Sequence, residues 1–494
     1  MLLQYKVLAV SVKSIRQPRY YIPGKNYEWI ALMGIQEIIY QKSPIFLQNF
    51  FVGLYGWKLK RERYSRNSAK FENQLLLEEF NSAAENRNRQ LALFRSLIIS
   101  AAKNTAYYRR YFLEKGIDPE SLQSFDDLAL LPVMEKSFIK ENVLDFVDEK
   151  LTHQKKLIKF YTSGTTGSPL PVYSTPEFRS NHYAFFTRIR KRYGLERISK
   201  RATLFGRIII PGYQVKPPFW RYDWAQKNLL MSSYHLSNEH LKHYVERLRS
   251  YRPDEIFSYP SSLYEIARYI NENNLAPLPT KLVMTTAERL SQNQRSEIEK
   301  AFKCRVVNQY GCTEMAFFAS ECEHGTLHAN PEHGFLEVLL ADGSVSTKGS
   351  GELLATGFVN LAMPLIRYRV GDLVTLDETE CQCGRNTQII SDLEGRVDDT
   401  IYKLDGTPVG RVDPIFKAGL NIKGACVIQD EQGNIEIKVV PAREYSEKDR
   451  QTIIMETKKR VGDMTIVVTP VDSLPKGSNG KFRAVVSNYK RSLY

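Results

Sequence analysis

The sequence predicts an α/β protein in which a large domain of mixed sheets and helices precedes a small α+β domain. Three observations lead there. At 494 residues the chain is longer than one hydrophobic core organises, which favours two or three domains. Short β-like runs alternate with helical periodicity through the middle of the chain, the pattern of an α/β architecture. Beyond Gly351 the pattern turns more β-like, and about a hundred residues of strand, strand, helix and strand close the chain, enough for a small domain.

The apolar and aromatic stretch from Ser43 to Trp57 is followed by Lys58, Lys60, Arg61, Arg63 and Arg66. It is too short and too polar to span a bilayer. It reads as a helix docked on its own domain, with peripheral contact of residues 43–66 with an anionic membrane face as the other reading. Leu75, Leu76, Phe80, Leu91, Leu93, Phe94, Leu97 and Ile98 predict helix between Glu72 and Lys103, and Lys115 to Pro132 reads as a short helix and loop. Strand-like runs follow at Lys156 to Tyr161, Leu204 to Ile210, Lys281 to Thr285 and Arg305 to Asn308. Helical patterns lie at Asn238 to Tyr251, Ser262 to Asn273 and Ser291 to Phe302. Later strands are expected at Glu352 to Thr356 and Leu365 to Tyr368, with a turn or linker at Glu394 to Asp399. The last domain is expected to hold strands at Ala425 to Gln429, Ile435 to Val440 and Thr465 to Pro470, and a helix at Glu447 to Val461.

Hydrophobic residues make up 43% and charged residues 25%, so the composition is that of a globular chain and excludes disorder as its main state. The net charge of +14 implies basic surface that attracts anionic partners. Lys and Arg are dispersed and no nucleic-acid module is present, so a nucleic-acid partner is not expected. Met1 to Tyr20 carries no continuous apolar run, so no secretory signal is read and a cytoplasmic location is expected, with the inner membrane face as a peripheral variant. Six cysteines suit metal ligation or free thiols better than a disulfide framework.

Tyr161 to Pro169 reads YTSGTTGSP and follows a predicted strand. Gly164 and Gly167 let the backbone turn tightly and present N–H groups, while Ser163, Thr165 and Thr166 add hydroxyl donors, which together make a phosphate cradle. The Gly-Lys-Ser/Thr ending of the common nucleotide loop is absent, and a surface turn is the plain alternative. Gln309 to Met315 reads QYGCTEM: Tyr310 offers a flat face for adenine, Gly311 a close approach, and Thr313 a hydrogen bond to phosphate.

These strings resemble the signatures of the adenylate-forming enzymes, which include acyl-coenzyme A ligases, luciferases and peptide-synthetase adenylation domains. The resemblance implies a large ATP- and acid-binding domain at residues 73–395, a mobile C-terminal lid at 396–494, and an N-terminal helical, basic extension at 1–72. It implies that Glu314 holds Mg²⁺, a hard cation that prefers oxygen. Pro364 to Leu373 (PLIRYRVGDL) resembles the third signature, with Asp372 on the ribose hydroxyls. Glu394 to Asp399 (EGRVDD) resembles the hinge, with Arg396 on ribose or phosphate and Asp398 as pivot. Pro475 to Arg483 (PKGSNGKFR) resembles the terminal segment, which makes Lys481, rather than Lys476, the catalytic lysine beside Thr165 and Glu314. The implied reaction is ATP-dependent formation of an acyl-adenylate from a small carboxylic acid, with transfer to coenzyme A or to an amine.

Within the family the chain resembles the phenylacetate-coenzyme A ligase branch and its CapK-like relatives of capsule and surface-polysaccharide synthesis. The residues are FGRIIIP at Phe205 to Pro211, PFWRY at Pro218 to Tyr222, SSYHLS at Ser232 to Ser237 and YPSSL at Tyr259 to Leu263. This likeness implies an acyl pocket near Arg207, Trp220, Tyr222, Tyr259 and Ser261, with Trp220 and Tyr222 equally readable as core. Cys322, His328, Cys381 and Cys383 have zinc-ligand chemistry, with His324 as an alternative imidazole and buried free thiols as the plain reading; a closed site makes the metal structural. A non-catalytic scaffold that keeps the fold is the competing class, although Thr165, Glu314, Asp372, Arg396 and Lys481 are all present.

Overall fold

The computed structural model describes residues 35–494 except 155, 163–169, 207–208, 212, 397–400, 405–407, 410–412, 417–419, 463, 475–483 and 490–494. The chain divides into two compact units, residues 1–48 and 49–494. Among the described residues no helix is long and apolar enough to cross a membrane.

The helices are α1 (Ile35–Lys42), α2 (Ile45–Arg63), α3 (Arg66–Leu77), α4 (Ala83–Asn104), α5 (Ala106–Lys115), α6 (Lys136–Glu141), α7 (Glu149–His153), α8 (Pro176–Arg192), α9 (Leu241–Tyr251), α10 (Pro260–Glu272), α11 (Gln292–Phe302) and α12 (Glu447–Val461). The single helix expected over Glu72 to Lys103 is two, because Glu78 ends α3 and Ser82 begins α4 with a reciprocal capping box to Glu85.

One large sheet organises the body. Its strands are β3 (Arg201–Phe205), β4 (Trp220–Asp223), β5 (Asn228–Ser232), β6 (Glu255–Ser258), β7 (Leu282–Thr285), β8 (Val306–Gly311), β9 (Phe318–Glu321), β10 (Leu327–Ala329), β11 (Gly334–Leu339), β12 (Val345–Ser346), β13 (Gly349–Gly357), β14 (Tyr368–Asp377) and β15 (Ile389–Arg396). A separate hairpin pairs β1 (Ile158–Tyr161) with β2 (Pro171–Ser174). The sheet order is β12-β11-β13-β14-β15-β10-β9-β8-β7-β6-β3-β5-β4. From β5 through β3, β6 and β7 to β8 the pairing is parallel, with α9, α10 and α11 between successive strands; from β8 onward it is antiparallel.

Two cores follow from this change. Leu204, Leu229, Ile256 and Val283 pack with Leu248, Leu263, Ile298 and Phe302 around the parallel half, and Phe94, Leu97, Phe146, Leu336, Leu353 and Ile366 fill the antiparallel half. The mixed α/β fold is as the sequence predicts, with local differences. The strand expected from Leu204 ends at Phe205, and that expected from Leu365 starts only at Tyr368. Arg367 explains the second shift: its φ is 48°, and its Nη1 donates to the carbonyls of Leu128 and Leu131 at 3.0 Å each, which turns the chain just before the strand. Glu394 to Arg396, expected as turn, still belong to β15, whose ladder with β14 runs to Asp372 opposite Arg396.

A C-terminal domain carries its own sheet, β20-β19-β18-β21, from β18 (Ile422–Gln429), β19 (Ile435–Pro441), β20 (Ile466–Pro470) and β21 (Val485–Ser487), preceded by the small pair β16 (Ile401–Tyr402) and β17 (Pro408–Val409). Val427, Ile437 and Val439 of this sheet pack on Ile453 of α12.

Candidate active site

The loop expected to cradle phosphate is the segment of sequence that joins β1 to β2. Tyr161 pairs with Pro171, and Thr162 closes the base twice: its N–H donates to the Leu170 carbonyl and its Oγ1 accepts the Leu170 N–H, both at 3.0 Å. Ser163, Gly164, Thr165, Thr166 and Gly167 lie outside the described residues, as do Arg207, Asp398, Lys476 and Lys481.

Ligands of open α/β sheets bind outside the carboxyl ends of the parallel strands. Here that edge gathers several predicted residues. Tyr259 follows β6, with its ring 4.9 Å from that of Phe205 at the end of β3. Ser261 opens α10; its N–H donates to Glu288 Oε2 at 3.0 Å, while its hydroxyl oxygen is buried with no hydrogen-bond partner among the described residues. Tyr310 and Gly311 end β8. Trp220 and Tyr222 lie on the antiparallel edge strand β4, Trp220 opposite Met231 near the same end of the sheet, and their rings contact Tyr244 and Tyr251 of α9 respectively. The structure does not bring these two together with Tyr310.

The centre of the site is a pair of tyrosine–carboxylate contacts. Tyr310 donates its hydroxyl to Asp372 Oδ2 at 2.6 Å, and its ring meets Phe317 edge-on at 4.8 Å. On the same strand as Asp372, Tyr368 donates to Glu314 Oε1 at 2.8 Å, and Lys136 reaches that oxygen at 3.1 Å. Glu314 is buried in the turn after β8, beside the exposed Thr313. A carboxylate so placed is stabilised by a charge-assisted bond and an adjacent cation. Both contacts use the one oxygen, Oε1. A Cβ on Gly311 would lie 3.1 Å from the Phe317 carbonyl, so glycine lets the two backbones approach closely there. Lys136 and Tyr368 carry no sequence signal of their own role, because their partner is remote in the chain; Lys136 is 178 residues from Glu314.

A second cluster lies farther along β9 and β10. The ligand atoms of Cys322, His328, Cys381 and Cys383 all fall within 4.8 Å of one another. Cys322 Sγ is 3.8 Å from Cys381 Sγ, and Cys383 Sγ is 3.3 Å from His328 Nε2. Tetrahedral zinc at about 2.3 Å from sulfur sets neighbouring thiolates roughly 3.8 Å apart, so the donor set fits that ion. Thr387 Oγ1 lies 2.9 Å from His328 Nδ1, which leaves Nε2 to face the sulfurs. Burial, reinforced by Arg385 and Arg192, lowers the His328 pKa to about 4 and keeps the ring neutral, as a ligand must be. Cys322 and Cys381 each begin a tight turn in which the third residue on, Gly325 or Gly384, adopts positive φ and donates its N–H to the cysteine carbonyl at 3.0 Å. His324 contributes its backbone N–H to Cys322 Sγ, and its ring is not part of the cluster.

Comparison with known proteins decides the family. The chain is 30% identical over 461 residues to protein CapK of Staphylococcus aureus, covering 92% of this chain and 99% of the relative. The chain belongs to the CapK family. Residues 402–488 match the model of the CapK C-terminal domain, the segment that holds the small sheet and α12. This CapK-family chain is also 24% identical over 425 residues to the phenylacetate-coenzyme A ligase of Thermus thermophilus, covering 79% and 94% of the two chains. Its fold is that of 2-hydroxyisobutyryl-CoA ligase in the postadenylation state, with a TM-score of 0.66 at 17% identity over 84% of this chain and 91% of the other. The CapK-family chain is thus related in sequence to phenylacetate-coenzyme A ligases and shares the fold of a CoA ligase.

Proposed function

We infer that this CapK-family protein activates a small carboxylic acid with ATP, forming acyl-AMP and pyrophosphate, and then passes the acyl group to coenzyme A or to an amine. The observation that carries the reading is the placement of Tyr310–Asp372 and Tyr368–Glu314–Lys136 side by side at the carboxyl edge of the parallel strands. The named ligase relatives support the same chemistry.

In this reading the Tyr310 ring stacks on adenine and Asp372 accepts from the ribose hydroxyls, with Arg396 across the ladder from it. The loop 163–169, with Thr165 and its neighbours, wraps the phosphates from the hairpin base at Thr162. Magnesium, held through Glu314, would neutralise phosphate charge. The carboxylate of the substrate attacks the α-phosphorus and pyrophosphate leaves; alignment and charge stabilisation contribute more than a base does. Lys481, from the segment just before β21, supplies the cation that bridges carboxylate and α-phosphate. Tyr259 and Ser261 line the acid side, joined by Arg207 from the segment after β3, while Trp220 and Tyr222 stiffen the neighbouring strand. Zinc at Cys322, His328, Cys381 and Cys383 is structural.

The domains are taken as 1–72, 73–395 and 396–494 with Asp398 as pivot. The setting is taken as surface-polysaccharide assembly on the cytoplasmic side. A panel of carboxylic acids tested by ATP–pyrophosphate exchange decides the reading: exchange that depends on one acid class and is lost in Lys481→Ala, with ATP binding retained, is expected. Exchange with no acid, or full activity in Lys481→Ala, would overturn it. Thioester or amide product then identifies the acceptor.

A further inference from the structure

Helix α2 has an inner face whose purpose is plain. Asn49 Oδ1 accepts the N–H of Tyr222 at 2.9 Å, so the helix covers β4, the last strand of the large sheet. Covering an edge strand blunts its tendency to pair with other chains. Gly53 and Gly56 seat the helix there: a methyl group at Gly53 would overlap the indole of Trp224, and one at Gly56 the carboxylate of Asp223. Asp223 is in turn locked by the N–H groups of Ala225 and Gln226, both at 3.1 Å. The rotation of α2 about its axis is therefore fixed.

The face turned outward by that seating does not serve the fold. Phe50, Leu54 and Trp57 follow one another at helical spacing and are 53%, 49% and 46% exposed; Trp224, whose indole lies against the Gly53 position, is 47% exposed. Arg61, one turn beyond Trp57, holds its guanidinium 4.8 Å from the Trp57 ring. Lys58 on the same helix and Lys227, three residues after Trp224, are exposed as well. Glu62, the one acid of the helix, is directed to Arg179 at 3.2 Å and Lys58 at 4.0 Å. The outward surface is thus aromatic and cationic.

The geometry points to this surface, Phe50, Leu54, Trp57 and Trp224 with Lys58, Arg61 and Lys227, as a docking site for an anionic lipid bilayer. Apolar and aromatic side chains enter the headgroup boundary, while lysine and arginine beside them pair with lipid phosphate. Tryptophan with a stacked arginine suits that boundary because each has an apolar body and a polar tip. The positive charge complements an anionic surface and gives no comparable gain on a neutral one. The helix lies flat on the bilayer in this arrangement, since none of the described helices can cross it. This inference is independent of the adenylating chemistry.

The test is co-sedimentation of the full-length protein with phosphatidylcholine vesicles, with and without phosphatidylglycerol, at low and high salt. Binding is expected only with phosphatidylglycerol, falling as salt rises, and accompanied by a blue shift of tryptophan emission. Lys58→Gln/Arg61→Gln removes two solvated charges without touching the buried face and should weaken binding roughly 25-fold. Phe50→Ser/Leu54→Ser should weaken it at least about tenfold. Equal binding to neutral vesicles, or undiminished binding by the charge variant, overturns the proposal. So does a change in the oligomeric state of the lipid-free protein caused by Phe50→Ser/Leu54→Ser, which would assign the face to a second copy of the chain.

Discussion

Replacing Tyr310 by phenylalanine separates two tasks that the structure gives to one side chain. The ring, edge-on to Phe317 at 4.8 Å, is untouched by the substitution, whereas the 2.6 Å bond from its hydroxyl to Asp372 is lost. A hydrogen bond to a charged group contributes about 1.5–3 kcal/mol. Both partners are only partly buried, so the lower figure applies, and it corresponds to about tenfold in an equilibrium constant. If Asp372 holds the ribose, the released carboxylate should raise the KM for ATP about tenfold. The kcat of acid-dependent pyrophosphate exchange should stay within about threefold, because the ribose hydroxyls that Asp372 would hold are several bonds from the reacting α-phosphorus. Steady-state exchange kinetics over ATP concentration, beside a thermal melt, measure both. An unchanged KM with a lowered melting temperature would refute the reasoning, because it would make the Tyr310–Asp372 bond a purely structural brace.

Three further outcomes are expected. Gently purified protein should contain an equimolar amount of zinc by elemental analysis, and Cys383→Ser should lose both the metal and thermal stability; metal-free wild type of equal stability would reject the site. His182 Nδ1 sits 2.9 Å from His333 Nε2 among Phe185, Phe186 and Phe318; burial, with Arg179 nearby, depresses the His182 pKa to about 4, and burial with His182 and Arg188 depresses that of His333 too. The unfolded chain then binds more protons below pH 6.5, so stability is full above that value and falls as pH drops toward 4, by up to about 3 kcal/mol for His182; denaturant melts across this range should show a shallower fall in His182→Gln. Gly53→Val should lift α2 from Trp224 and lower stability by about 2 kcal/mol in the same melts, whereas the exposed Phe50→Ser should change it little.

What could be read from the sequence was what is local. The strands and helices of the parallel half announce themselves through periodicity, and Tyr310, Gly311 and Glu314 fall within one short string. Asp372 was also legible, because its string is compact. Lys136 and Tyr368 were not, since a lysine in a short helix and a tyrosine opening a strand acquire meaning only when β14 is laid beside residue 134. The break between α3 and α4 had a readable signal, Ser82 and Glu85 three residues apart, which the apolar periodicity on either side obscured. Arg367 shows the opposite case: its left-handed φ is unfavourable for a non-glycine residue and is imposed by tertiary bonds to Leu128, Leu131 and Glu337. The metal cluster was legible as chemistry, but its two halves meet only in the fold, where β10 pairs with β15.

That pairing links the cluster to the proposed nucleotide site. β8 is the strand on which the sheet changes from parallel to antiparallel, and Tyr310 stands at its end. From there the chain passes Glu314, enters β9, and reaches Cys322 and then His328 on β10. Asp372 lies on β14, whose far end leads to Cys381 and Cys383, and β15 returns from them to Arg396, opposite Asp372. Each side of the proposed nucleotide site is thus the other end of a strand path that terminates at the cluster. A four-coordinate zinc there would hold the β9–β10 hairpin against the β14–β15 connection and limit their relative movement. The distance between Glu314 and Asp372 is set by those same strands. The physical role such a metal would have is positional: it would hold in register the strands that position Glu314 and Asp372.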